Sequence, residues 1–270
     1  MDTQVIALIA TTPRYSYLKT ISLPSIAKQR RKPDAIVIVS DTESISAAQI
    51  DPIKTSFGDL PLHVLKNKNA KGAAGTWNTG ISFINKNYKD SFVAILDDDD
   101  YWHSGHLQVC SESAHRENSD IVISGIRVQK STNTLSVNIP TNLSVNDFLV
   151  GNPGWQGSNT FVRTSVISAI GGFTDGMISS NDRDLAIRLL SKQQYKISYT
   201  GCATVTWNCG HDATALSSPG SIQKKKGCAQ FLQLHEHRMT EHQIKQYFIR
   251  TSELFSISEQ EIRTEMAGLK

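Results

Sequence analysis

Three short, unbroken apolar runs constrain this chain more than any other feature: Val5-Ile6-Ala7-Leu8-Ile9-Ala10, Ala35-Ile36-Val37-Ile38-Val39 and Phe92-Val93-Ala94-Ile95-Leu96. Consecutive apolar residues without alternation are the pattern of strands covered on both faces, as in a parallel sheet. Leu62-His63-Val64-Leu65 is a fourth, weaker strand candidate. Helical patterns separate the runs. One spans residues 17–29, with Leu18, Ile21, Leu23 and Ile26 and a kink or late start at Pro24. Another spans residues 74–86, just after Gly72. This alternation predicts an α/β domain with a mostly parallel sheet flanked by helices. Ligands of such sheets collect beyond the carboxyl ends of the strands. Thr11–Arg14, Asp41 and Asp97–Asp100 each follow a strand end, so three polar clusters are expected along one sheet edge.

The second half is less regular. Ile121–Gly125 and Ile126–Val128 read as strands, Ser144–Val150 as a short helix and 151–159 as a Gly- and Asn-rich loop carrying Trp155. Thr164–Ile170 and Asp182–Lys192 read as helices, Tyr195–Trp207 as a strand, and residues 221–270 as mostly helical. We expect one domain over 1–220, with 221–270 as a C-terminal helical extension packed on it, either part of the same domain or a small cap.

A formal net charge of +3 and the absence of aromatics interleaved with basic residues argue against nucleic acid as a partner. No apolar stretch reaches the ~18 residues of a membrane span, and no signal-peptide pattern opens the chain. Cys110, Cys202, Cys209 and Cys228 are widely spaced, as in a protein that keeps its thiols reduced, so a cytoplasmic location is expected.

Four consecutive carboxylates at the end of a buried strand repel one another. A hard divalent cation shared with substrate phosphates would relieve that repulsion; an acidic turn capping the next helix is the plainer alternative. Ile95-Leu96-Asp97-Asp98-Asp99-Asp100-Tyr101-Trp102 resembles the DXD region of family 2 glycosyltransferases, and the order of the other clusters agrees with it. The resemblance covers roughly residues 4–215. It implies a GT-A fold and transfer of a sugar from a nucleotide sugar, with a uridine diphosphate donor as the default and Mn2+ or Mg2+ as cofactor.

On that resemblance Thr11, Thr12, Pro13, Arg14 and Asp41 hold the nucleoside, and Lys71, Gly72 and Asn78 come from the stretch that precedes the DXD strand. Trp77 stands where the family has arginine, with Lys71 or Arg14 as substitutes. Asp97 and Asp98 belong to the nucleotide-sugar site, Asp97 and Asp99 to the metal, and Asp100 supports them. His211 occupies a place where such enzymes supply a metal ligand.

Inverting transfer needs a base for the acceptor hydroxyl. Ser179-Ser180-Asn181-Asp182-Arg183-Asp184 opens a helix, and Asp182 matches the base position, with Asn181 in place of the usual first acidic residue. A helix cap is the alternative for the same residue. Trp155 is placed to stack on a sugar or to anchor its loop, and Lys224, in the Lys224-Lys225-Lys226 run, to meet the diphosphate. The acceptor stays open among saccharide, protein, lipid-linked and small-molecule classes. A nucleotidyltransferase is disfavoured because Thr11–Arg14 lacks the glycines of a triphosphate loop. A non-catalytic nucleotide-sugar-binding module is disfavoured because the aspartates are all present.

Overall fold

The computed structural model describes residues 3–12, 14–209 and 219–269. The first half follows the alternation closely: β1 (Val5–Thr11), α1 (Tyr15–Tyr17) continuing through a π-helical turn at Leu18–Ser22 into α2 (Leu23–Ala27), β2 (Ala35–Ser40), α3 (Ala47–Phe57), β3 (Leu62–Lys66), α4 (Ala73–Asn87) and β4 (Phe92–Asp97). Pro24 stands directly after the π-helical turn, where the hydrogen-bond register of the continuous helix changes and its missing N–H is accommodated. Beyond the aspartates come β5 (Tyr101–Trp102), α5 (His106–Glu117), β6 (Ile121–Lys130), β7 (Asn133–Asn138), α6 (Val145–Val150), β8 (Thr160–Arg163) and α7 (Thr164–Ala169). The chain then forms α8 (Asn181–Leu190), β9 (Ile197–Asn208), α9 (Ile222–His235), α10 (Glu241–Phe255) and α11 (Glu259–Ala267).

The described residues build one nine-stranded sheet in the order β3-β2-β1-β4-β8-β6-β9-β5, with β7 on the free part of β6. β3, β2, β1 and β4 are parallel. β8 runs antiparallel between β4 and β6, while β6 and β9 are parallel. The register pairs Ala10 with Asp97 and Thr11 with Ser40, so β1, β2 and β4 end at one level. That common level brings the polar strand-end residues together.

Alternate residues of the buried strands feed two cores. Ile6, Leu8, Val37, Val93 and Ile95 face α4, α8 and the C-terminal helices, whereas Val5, Ala7, Ile9, Ile36 and Leu96 face α2 and α5. Each large aliphatic side chain so covered contributes about 1.5–3 kcal/mol. Phe231, Leu232, Tyr247 and Ile262 belong to the first core, so the C-terminal helices share it rather than resting on the surface.

Two strands depart from the expected pattern. β8 is only four residues long, too short for a period to register, and β7 is exposed along its whole length. The two strands expected over 121–128 are one, bent where its pairing with β9 shifts register around Gly125. A side chain at Gly125 would meet the Asn138 carbonyl oxygen at 2.8 Å, so the crossing of β7 requires glycine there.

Candidate active site

The four aspartates alternate in direction. Asp98 and Asp100 are buried, at 1% and 2% exposure, while Asp97 and Asp99 are only partly covered. Asp98 accepts from Thr11 Oγ1 at 2.6 Å and pairs with Arg14. Asp100 accepts from Ser158 Oγ at 2.6 Å and from the Asn208 amide at 3.0 Å. The inward pair is therefore held by partners from β1, β9 and the 151–159 loop, and it fixes the direction of the outward pair. Asp99 accepts from Arg14 Nη1 at 3.0 Å. For Asp97 the contacts nearby are its own amide on Ser158 Oγ at 3.1 Å and Gly157, where a Cβ would stand 3.5 Å from its carboxylate.

Burial pushes the Asp97 carboxyl well above the usual carboxylate range, and Asp100, Asp99, Asp182 and Asp98 push it further. Asp98 is raised to about 6, by burial against the opposing charge of Arg14 and the Thr11 hydrogen bond. Arg14 offsets only part of this negative charge, and oxygen donors of this kind suit Mg2+ or Mn2+. These ions use one or two carboxylates and complete their shell with waters and substrate phosphates. Among the described residues no three His, Cys, Asp or Glu side chains form a group that could hold a metal ion by themselves.

Asp182 lies in the first turn of α8, close enough to Asp97 to raise its pKa. Its own carboxyl is raised to about 7 by burial, against the Gly157 amide and the charge of Lys224. Ser180, just before it, takes a left-handed backbone at φ 64°. Ser179 Oγ, Asn181 Oδ1 and Asp182 Oδ1 have no hydrogen-bond partner among the described residues. A strained turn lined with unsatisfied oxygens is characteristic of a ligand-facing segment.

α9 braces this turn along one side. Gln230 Oε1 accepts from the Ile178 amide at 2.9 Å, and Gln230 Nε2 donates to the Gly176 carbonyl at 3.1 Å. A side chain at Gly227 would stand 2.8 Å from the Ser179 amide nitrogen, so only glycine lets α9 approach. His235 Nε2 meets Asp184 Oδ1 at 3.0 Å, while Asp184 Oδ2 accepts from Thr174 at 2.8 Å and Arg188 at 2.7 Å. These contacts hold Asp184 down to about 2 despite its burial, and turn it away from the cleft. Asp184→Asn breaks a buried, multiply bonded ion pair and is expected to cost about 3–5 kcal/mol, visible as a lowered melting temperature. Gly227→Ala is expected to cost about 1–3 kcal/mol in the same assay, against the usual helical preference for alanine.

Several residues expected at the nucleotide have other occupations. Asp41 is 8% exposed and accepts from the Gly72 amide at 2.9 Å, Asn67 Nδ2 at 2.8 Å and Thr76 Oγ1 at 3.1 Å. It clasps the loop before α4, and Gly72 serves that clasp, so neither presents a free group to a base. Asn78 exchanges hydrogen bonds of 2.8 Å with the Phe173 backbone in both directions. Trp155 has no exposed surface and donates to Thr160 Oγ1 at 2.9 Å, so it anchors its loop and stacks on no sugar. Asp98 and Thr11 face inward on each other. Trp77 packs on Phe173, with ring centroids 4.5 Å apart, and lines the wall beside Gly157.

Thr12, Arg14 and the exposed Lys71 remain at the strand-end edge. Thr11, Thr12, Tyr15, Glu43 and Gln49 line a small recess there, about 60 Å³ in volume. Pro13 and His211 lie outside the described residues. A larger cavity of about 650 Å³ between α4 and the 170–175 segment is lined by none of the clustered carboxylates. Asn208 and Gln230 hold the site together without a signal in the sequence, because each acts across a long stretch of chain, whereas Gly157 and Ser158 come from the Gly- and Asn-rich loop.

A mostly parallel sheet with an acidic knot at its carboxyl edge and a second carboxylate on a facing helix is the layout in which α/β enzymes bind their ligands. Residues 11–175 match the profile of glycosyl transferase family 2, more than half of the chain, and the protein belongs to that family. It is 28% identical over 109 residues to the Escherichia coli UDP-Glc:alpha-D-GlcNAc-diphosphoundecaprenol beta-1,3-glucosyltransferase WfgD, a match spanning 40% of each protein. S. aureus TarS 1–349, solved with UDP-GlcNAc, superposes with a TM-score of 0.67 at 16% identity, over 98% of this chain and 79% of that one. The mannosyltransferase PcManGT from Pyrobaculum calidifontis, solved with GDP-Man and Mn2+, gives 0.61 at 13% identity, over 100% of this chain and 74% of that one. The fold, including the helical C-terminal region, is that of GT-A glycosyltransferases.

Proposed function

We propose that this protein is a divalent-cation-dependent, inverting glycosyltransferase that moves a sugar from a nucleoside diphosphate sugar, preferentially a uridine diphosphate sugar, to an acceptor hydroxyl. The observation that carries this reading is the alternation of the knot: Asp98 and Asp100 are tied inward, leaving Asp97 beside Asp182 and Asp99 part-exposed on Arg14. Asp97 and Asp99, with His211 as a further ligand, would hold the cation. A cation bound there neutralises charge on the departing diphosphate. Thr12, Arg14 and Lys71 would contact the nucleotide.

Asp182 takes the proton of the acceptor hydroxyl as the new bond from that oxygen to the anomeric carbon forms. The bond from the anomeric carbon to the diphosphate oxygen breaks, and its electron pair leaves with the nucleoside diphosphate. A carboxylate with a pKa near 7 is well matched to that proton transfer at neutral pH. The acceptor class named for WfgD, a sugar on a diphospho-lipid, is one candidate beside saccharides, protein side chains and small metabolites. A cytoplasmic setting is part of the proposal, supported by four unpaired cysteines. Among the described residues no helix is long and apolar enough to cross a membrane.

The test is a donor-hydrolysis and binding screen in Mn2+ with UDP-glucose, UDP-GlcNAc, GDP-mannose and dTDP-glucose. Saturable binding and slow hydrolysis of one donor, lost in EDTA, is the expected result. Failure of every nucleotide sugar to bind or turn over sinks the proposal.

A further inference from the structure

On the side of Asp182 formed by α6, α9 and α10, three cations converge. Arg183 stacks 3.8 Å above Phe231 and donates to the Phe148 carbonyl at 2.8 Å and the Leu149 carbonyl at 3.0 Å, at the end of α6. Arg250 comes from α10 to the same end, its guanidinium 3.3 Å from where a Cβ on Gly151 would stand. Lys224 reaches in from the first turn of α9, with Nζ 4.1 Å from the Phe255 ring centroid. The three are near enough to depress one another: Arg183 is lowered to about 10 by burial with a contribution from Arg250, and Lys224 is lowered by burial and by both arginines.

Two nearby cations, on α9 and α11, are neutralised, whereas Lys226 and Lys245 share the lack of an ion pair among the described residues without joining the group. Lys225 pairs with Glu261 at 2.9 Å, and Arg263 with Glu236 at 2.6 Å. Among the described residues neither Lys224 nor Arg250 has a carboxylate within 4 Å, and the carboxylate that acts on Lys224, after the Cys228 thiol, is Asp182 itself. Crowding cations without counter-ions raises the energy of the folded chain unless an anion completes the group. The loop that starts at Gly151 ends at Gly157, beside both Asp97 and Asp182. An anion held by Lys224 and Arg250 would therefore stand next to the base, on cations that come from α9 and α10 rather than from the strand ends.

Resting on the glycosyltransferase reading, we propose that the acceptor carries a phosphate or diphosphate group, which Lys224 and Arg250 bind while Asp182 deprotonates the attacking hydroxyl. The uncharged saccharide and the neutral protein side chain are thereby set aside as acceptors. Lys224 passes from the donor's diphosphate to the acceptor's.

The test titrates the full chain, saturated with UDP and Mn2+, calorimetrically with GlcNAc 1-diphosphate and with the uncharged methyl glycoside of GlcNAc. The phosphorylated probe is expected to bind about 10-fold or more tightly than the glycoside, with an affinity that falls as salt rises. Lys224→Met and Arg250→Met are expected to erase most of that preference, Lys224→Arg and Arg250→Lys to retain it, and UDP affinity to stay within about twofold of wild type throughout. Equal binding of the two probes to the wild type overturns the proposal. So does loss of UDP affinity in the methionine variants, which would return both cations to the donor. A wild-type protein that binds no UDP at all fails the donor reading instead, and the two failures are told apart by the UDP titration alone.

Discussion

Asp182→Asn is expected to lower sugar transfer by about 10²–10⁴-fold while leaving UDP affinity in Mn2+ close to wild type. The substitution keeps size and shape but cannot take a proton. The carboxylate lies on α8, apart from the strand ends that would hold the nucleotide, so binding and chemistry should separate. A helix cap predicts the opposite pattern: asparagine caps as well as aspartate, so activity would survive. Full transfer by the asparagine variant would remove Asp182 as the base and leave the fold assignment standing.

The same carboxylate sets a pH dependence. A base must be unprotonated to act, so kcat/KM is expected to rise through an apparent pKa near 7 and level off above it. Lys224 opposes the rise in Asp182's pKa, so Lys224→Met should move that limb to higher pH. A brace without electrostatic influence would leave the limb in place.

The donor half of the site was legible because its signals are local. Each buried strand is an apolar run, and the polar residues after it fall at one level once β1, β2 and β4 pair in register. What those residues do at that level was less legible. Asp41 and Asp99 both follow a strand, yet one is consumed by Gly72, Asn67 and Thr76 and the other faces Arg14. Their difference is written in residues tens of positions away. Trp155 reads equally as a stacking platform or a wedge until β8 and α6 close over it. The contribution of α9 had no sequence signal, since Gly227, Gln230 and His235 make an unremarkable helix face. Only the path of residues 176–184 beneath it gives the glycine and the glutamine their purpose.

Asp99→Asn and Arg14→Ala are expected to move Mn2+ binding in opposite directions. Arg14 bridges Asp98 and Asp99, the first buried and the second part-exposed. A divalent cation arriving at Asp99 has to displace one positive charge with another. Asp99→Asn removes an oxygen ligand of charge −1, and loss of such a ligand should weaken Mn2+-dependent UDP binding by about 10²-fold. Arg14→Ala leaves that ligand and removes its competitor. Arg14 is 32% exposed and the pair is partly screened, so the gain is smaller, and Mn2+ alone should bind a few-fold more tightly. The free Mn2+ signal in electron paramagnetic resonance reads both effects without turnover. The guanidinium released from Asp99 stays at the strand-end edge, where the diphosphate would meet it, so the advantage of Arg14→Ala should vanish or reverse once UDP is added. If both variants weaken Mn2+ binding equally without nucleotide, Arg14 braces the aspartates rather than competing for them. The cation would then enter a site whose carboxylates are already ordered for it.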